Sequence, residues 1–258
     1  MHRKNIVLMQ DIELASIIAE LATEVRLEVQ TDIPRFLAAK QIDKLFHFTS
    51  ISNLESIASH GFLGRDTLIS QGINFTLSDQ TRYEPILDGI CFSLSRPNYY
   101  MAAQKIRSGH QLVLLELNNL EDLLAQYNFI ASPGNFGSLY LKTRLQSWPE
   151  EFIGGNGLMN LFKNSKIREK YSIPIYEPTD PQSEIIMLDA IPWNYVKKVY
   201  FPDFTTYSVQ EMVRKIVRTL PTGLVLQSQI GEVFPDIDWS NRSINEEFGD
   251  RKFSEIWV

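Results

Sequence analysis

The stretch LFHFTSISNLESIASHGFL, residues 45–63, decides the fold reading. Its opening, LFHFTS (45–50), is rich in aromatic and β-branched residues and predicts a strand. SNLESIASHG (52–61) predicts a helix directly after it. Ser52 and Glu55 form a capping box, Leu54 and Ile57 face inward, and Gly61 ends the helix. A strand carrying His-x-Thr (His47, Thr49) therefore runs straight into a capped helix.

Downstream, GRDTLISQGINFTLSDQTRYEPILDG (64–89) reads as a long polar loop, a kind of segment that often carries function. ICFSLS (90–95) alternates as a half-buried strand, with Ile90, Phe92 and Leu94 against Cys91, Ser93 and Ser95. NYYMAAQKI (98–106) can turn helical. QLVLLEL (111–117) is a buried strand, followed by a short helix near 119–126. Residues 128–179 are the least regular part and read as an elaborated insertion, with helical fragments in SLYLKTRL and GLMNLFKNSKIREKY. SEIIMLD (183–189), VKKVYFP (196–202) and GLVLQSQ (223–229) predict strands, and SVQEMVRKIVRTL (208–220) an amphipathic helix. The tail from Gly231 reads as irregular chain.

Upstream, Ile12, Leu14, Ile17, Ile18, Leu21 and Val25 form one apolar stripe of a helix over about 11–29, capped by Asp11. Pro34 sits in the first turn of a second short helix through Ala39. The expected organisation is a helical extension over 1–44 and a single core over 45–258. Short strands mixed with helices, without a regular βαβ rhythm, predict an α+β fold on a mostly antiparallel or mixed sheet.

The chain has 258 residues, of which 44% are hydrophobic and 11% aromatic, enough for one good core. No apolar run approaches the roughly 18 residues that span a membrane. The N-terminal MHRKNIVLMQ lacks the apolar core of a secretory signal. A single cysteine, Cys91, makes no internal disulfide and suits a reducing cytosol. The net charge of −6 excludes a general polyanion binder, so contact with nucleic acid needs a local basic patch. Lys163, Lys166, Arg168 and Lys170 form one such patch. Lys142 with Arg144, and Arg96 with Lys105 and Arg107, form others. GxGxxG, GxxxxGK[ST] and GxSxG are missing, and His2, His47, His60 and His110 are too scattered for a metal site.

Three segments, LFHFTSISNLESIASHGFL, RYEPILDGICFSLSRPNYYM and DPQSEIIMLDAIPWNYVKKVYFP, resemble in this order and spacing the DarT family of toxins. Those are NAD-dependent ADP-ribosyltransferases acting on bases of single-stranded DNA. The resemblance covers roughly residues 45–230 and implies an ADP-ribosyltransferase-like split mixed β core with NAD in its cleft. It implies Glu184 as catalytic glutamate and Arg82 as catalytic arginine, with Arg65 and Arg96 as rivals for the latter. It implies a cofactor-binding set of His47, Thr49, Asn53, Gly61, Ser93 and Asn98. Tyr99, Tyr100, Lys163, Lys166 and Arg168 are expected to meet substrate, and YSIPIYEPTDPQ to be the substrate-recognising loop.

These residue types suit the chemistry in their own right. Breaking the nicotinamide–ribose bond builds positive charge on the sugar, which a fixed carboxylate stabilises as in glycoside hydrolysis. The same carboxylate can take the proton of an attacking base nitrogen, worth typically ~10²–10⁴-fold. Arginine can hold two phosphate oxygens at once, and His47 can donate to a ribose hydroxyl. NAD+ is then a substrate, and no metal is expected. The expected partners are single-stranded DNA, with RNA open, and by family analogy a macrodomain antitoxin. The setting is the bacterial cytoplasm, in toxin–antitoxin function or phage defence, with no membrane. The alternatives are an RNA- or protein-directed transferase, an NAD glycohydrolase of the same fold, or a silent binding module.

Overall fold

The computed structural model describes residues 16, 18, 20–22, 32–77, 86, 88–200, 211 and 225–227. Within the helix expected over 11–29, the described residues are helical, and Ile18 and Ala22 are buried. Arg82, the helix expected over 208–220 apart from Glu211, and the tail from Gly231 lie outside the described residues.

Among the described residues seven strands form one sheet: β1 (Leu45–Ser50), β2 (Ile90–Leu94), β3 (Leu112–Leu117), β4 (Phe129–Ser132), β5 (Glu184–Met187), β6 (Val196–Tyr200) and β7 (Val225–Gln227). Their order is β4-β5-β2-β1-β3-β6-β7. Every neighbouring pair is antiparallel except β6–β7, which is parallel, so the sheet is mixed as its sequence predicts. The helices are α1 (Asp32–Lys40), α2 (Leu54–His60), α3 (Arg65–Ser70), α4 (Tyr99–Arg107), α5 (Leu120–Gln126), α6 (Leu139–Ser147), α7 (Gly154–Asn160) and α8 (Ser165–Lys170).

Period-2 alternation sorts the central residues onto two faces. Ile185 and Met187 join the larger core with Phe92, Leu158 and Leu37, whereas Ile186 joins a second core with Phe136, Leu145 and Phe152. All three β5 side chains are fully buried, each worth about 1.5–3 kcal/mol against exposure.

The sheet is split at its centre. β1 is paired with β3 along its whole length, from Leu45↔Leu117 to Ser50↔Leu112. With β2 it pairs only at Leu45↔Leu94 and Phe46↔Ser93. Beyond that point β2 turns its pairing to β5, at Phe92↔Ile185, Cys91↔Ile186 and Ile90↔Met187. A gap therefore opens beside residue 47, where the β1–β2 ladder stops.

Three local expectations need correction. Ser52 and Glu55 do not make a capping box: a 3-10 turn over Ile51–Asn53 precedes α2, and Asn53 holds the N-cap with helical dihedrals and no side-chain cap bond. An N-cap hydroxyl works from extended backbone, and the Ser52 hydroxyl instead donates to Thr76 Oγ1 at 2.8 Å. The loop 64–89 is not structureless, since α3 lies inside it. Its cap comes from far along the chain: Asp88 Oδ1 accepts from the Asp66 and Thr67 amides at 2.8 and 3.1 Å. Residues 128–179 hold a strand, β4, that pairs with β5 from Phe129↔Met187 to Ser132↔Glu184.

Candidate active site

The split builds a cleft of about 220 Å³, whose lining includes Phe46, His47, Cys91, Ser93, Asn98 and Glu184. A second lobe of about 90 Å³ is lined by Thr49, Asn53 and Gly61, and shares His47, Leu63, Leu68, Phe75 and Ile90 with the first. One groove thus joins an acid late in the chain to a histidine from its first quarter.

Glu184 stands at the head of β5 because Asp180-Pro181-Gln182-Ser183 is a turn. Ser183 N donates to Asp180 O at 3.0 Å, and Asp180 Oδ1 accepts from the Gln182 amide at 2.7 Å. Proline at the second turn position and aspartate at the first are the residues such a turn favours. The carboxylate is buried at 7% exposure. Its Oε2 accepts from the Phe136 amide at 3.1 Å, which fixes the orientation of the acid at the cleft wall.

His47 sits where the β1–β2 ladder stops. Its Nδ1 donates to the Cys91 carbonyl at 2.8 Å and replaces the missing backbone bond. The ring packs against Phe62 and Phe92, both at 5.3 Å between centroids. This burial lowers the imidazole pKa below its ordinary value, against the opposing pull of the Cys91 carbonyl. The neutral ring therefore has its proton on Nδ1, and Nε2 is left as an acceptor.

The other expected cofactor residues line the groove but commit much of their polar chemistry to the protein. Asn53 Nδ2 donates to Thr49 Oγ1 at 3.0 Å and to Thr76 O at 2.9 Å, and its Oδ1 accepts from Thr76 N at 2.7 Å. This amide mimics a strand neighbour and straps Phe75, Thr76 and Leu77 to the cleft wall. Ser93 Oγ accepts from the Asn98 amide at 3.0 Å, and Asn98 Oδ1 caps α4 by accepting from Met101 N at 3.1 Å. Gly61 ends α2 at φ +78°, where a Cβ would lie 2.5 Å from the Ile191 carbonyl oxygen.

Among the described residues, the cleft lining includes none of the five expected substrate residues. Tyr99 is buried, and its hydroxyl accepts from Arg96 at 3.1 Å. Tyr100 is half-buried, while Lys163 and Lys166 are exposed. Arg168 is turned onto its own chain, as its bonds to the segment 174–179 show. Among the described residues two cations line the cleft: Arg65 at the start of α3 and Lys105, one helical turn after Met101 on α4. Of the two rivals to Arg82, Arg65 is thus at the cleft, whereas Arg96 pairs with Glu177 at 2.7 Å beside a separate small cavity. The helical spacing of Met101 and Lys105 was the sequence signal for the second cation.

The family model for DarT, described as ssDNA thymidine ADP-ribosyltransferase, matches residues 46–223, more than half of the chain. The chain belongs to the DarT family. DarT proteins are NAD-dependent ADP-ribosyltransferases of single-stranded DNA. No curated protein gives a significant match. Solved structures similar to the chain include a Thermosipho africanus DarTG in complex with ADP-ribose, at 13% identity and a TM-score of 0.44, covering 71% of this chain and 49% of that one. The chain thus spans about half the length of that protein. Another is a Thermus sp. 2.9 DarT in complex with NAD+, at 15% identity and a TM-score of 0.41, covering 72% of this chain and 95% of that one. The same DarT in complex with ADP-ribosylated ssDNA has 15% identity, a TM-score of 0.40, and coverage of 72% and 94%. Among the described residues no helix is long and apolar enough to cross a membrane.

Proposed function

We propose that this DarT chain moves ADP-ribose from NAD+ onto a base of single-stranded DNA, thymine or guanine, with Glu184 as the catalytic acid/base. The observation that carries the reading is the shared groove of Glu184 and His47. In the reaction the bond between nicotinamide nitrogen and ribose C1′ breaks, and nicotinamide leaves with the bonding pair. The Glu184 carboxylate, held by the Phe136 amide, stabilises the positive charge left on the sugar. A base nitrogen then bonds to C1′ and its proton passes to Glu184. His47 Nε2 accepts from a ribose hydroxyl. Arg65 and Lys105 supply positive charge for the pyrophosphate, with Arg82 as the family's further candidate.

An unpaired base reaches such a cleft without the few kcal/mol needed to unstack it from a duplex. Family membership further supports a cytoplasmic role in a toxin–antitoxin or phage-defence pair, with a macrodomain partner that removes the mark. The test incubates adenylate-labelled NAD+ with single-stranded DNA, duplex DNA, single-stranded RNA and a protein mixture. Label on single-stranded DNA is the expected result. Label on RNA or protein alone, or release of nicotinamide with label on none of them, overturns the substrate assignment.

A further inference from the structure

We propose that Arg168 is a positioning residue for the segment before Glu184, and that it governs transfer to the nucleic acid without touching it. The inference rests on the single-stranded DNA reading above. Residues 174–183 lead straight into Glu184, so their placement sets where an acceptor base meets the acid. The Arg168 guanidinium lies over the Phe162 ring at 5.3 Å and reaches three acceptors of that segment. Nη2 donates to Pro174 O at 2.8 Å, and Nη1 donates to Glu177 O at 2.8 Å and to Thr179 Oγ1 at 3.2 Å. Thr179 is tied down in turn: its amide donates to Leu161 O at 2.8 Å and its hydroxyl to Lys163 O at 2.7 Å.

Arg96, on the chain between β2 and α4, pairs with the Glu177 carboxylate at 2.7 Å. Arg96 lies two residues before Asn98 of the cleft wall, so the two arginines fix the segment between α8 and the cleft. A planar fork with several donors can serve three acceptors in different directions, which a lysine ammonium on a flexible stem does not reproduce. The segment meanwhile holds Ile175 at 47% exposure and Tyr176 half-buried at the surface, where an acceptor strand can reach them.

Loosening this clamp misplaces the acceptor but leaves the donor side, His47 and the α3 wall, as it was. The test compares Arg168→Ala, Arg168→Lys and the milder Thr179→Val with wild type. It reads nicotinamide release without oligonucleotide, transfer to a single-stranded oligonucleotide, and oligonucleotide affinity across a salt series. Expected is a fall of roughly 10–100-fold in kcat/KM for transfer, the scale of a 1 Å misplacement. Release of nicotinamide to water and KM for NAD+ stay unchanged, lysine does not rescue, and Thr179→Val shifts the same ratio by less. Because no phosphate contact is lost, the salt slope stays at its wild-type value. A slope lower by about 0.7, the signature of one single-strand phosphate contact, overturns the proposal. So does a parallel loss of transfer and nicotinamide release, or no change in either. A wild-type enzyme that releases nicotinamide but labels no oligonucleotide overturns the parent reading, and this one with it.

Discussion

Replacing Asn53 by alanine tests whether this side chain serves the cleft as the fastener of its strap. Asn53 makes three hydrogen bonds, two to the Thr76 backbone and one to the Thr49 hydroxyl. At about 0.5–1.5 kcal/mol net for each bond, the loss is roughly 2–3 kcal/mol. Thr76 is exposed, so water recovers part of this, and about 2 kcal/mol remains. That free energy raises the open population of residues 71–77 about 30-fold. Hydrogen exchange at the Ile73 amide is the assay, since that amide donates to Leu68 O and not to Asn53, and it reports local opening and not global unfolding. Its rate should rise by about the same 30-fold factor. The melting temperature should fall by no more than about 8 °C, from ~2–4 °C per kcal/mol. Exchange over 71–77 equal to wild type would refute the idea that Asn53 holds the strap.

Gly61→Ala places a side chain in a backbone region nearly restricted to glycine and drives its Cβ into the Ile191 carbonyl, which accepts from the Phe62 amide at 2.7 Å. Denaturant melts should show a loss of about 3 kcal/mol or more, and a loss under about 1 kcal/mol contradicts the close approach. Desolvation of its ring beside Phe62 and Phe92 lowers the pKa of the half-buried His47 below its ordinary value. The unfolded chain therefore binds that proton more readily, so stability should fall as pH drops through about 6.5 and level off below the folded pKa. His47→Asn, which keeps a donor to the Cys91 carbonyl, should flatten that part of the stability–pH curve. An unchanged curve would place the buried titrating group elsewhere.

Much of this architecture is legible in the chain. LFHFTS and the glycine-stopped helix after it carry local signals strong enough to survive folding, and Ile-Ile-Met after an Asp-Pro turn reads as a buried strand led by an acid. Helix α3 was illegible because Asp88, which caps it, lies more than twenty residues away. Strand β4 is only four residues long, ahead of Pro133-Gly134, and owes its existence to β5. Placement around the groove divides in the same way. Glu184 and His47 are placed by strand positions that the sequence pattern carries. Asn53, Ser93, Asn98 and Arg168 are polar groups whose partners become visible only when distant segments meet. Each bonds a backbone amide or carbonyl of its own chain.

On the proposed reading, Glu184 performs chemistry within the cleft and NAD+ binds there. Glu184→Gln keeps the side chain's shape and an oxygen for the Phe136 amide, while removing the negative charge. Transfer of labelled ADP-ribose from NAD+ to a single-stranded oligonucleotide, measured beside NAD+ affinity for both proteins, tests the claim most directly. The account predicts a loss of at least ~10²–10⁴-fold in transfer rate with NAD+ affinity retained. Wild-type transfer by the glutamine variant, or a loss wholly explained by failure to bind NAD+, would contradict it.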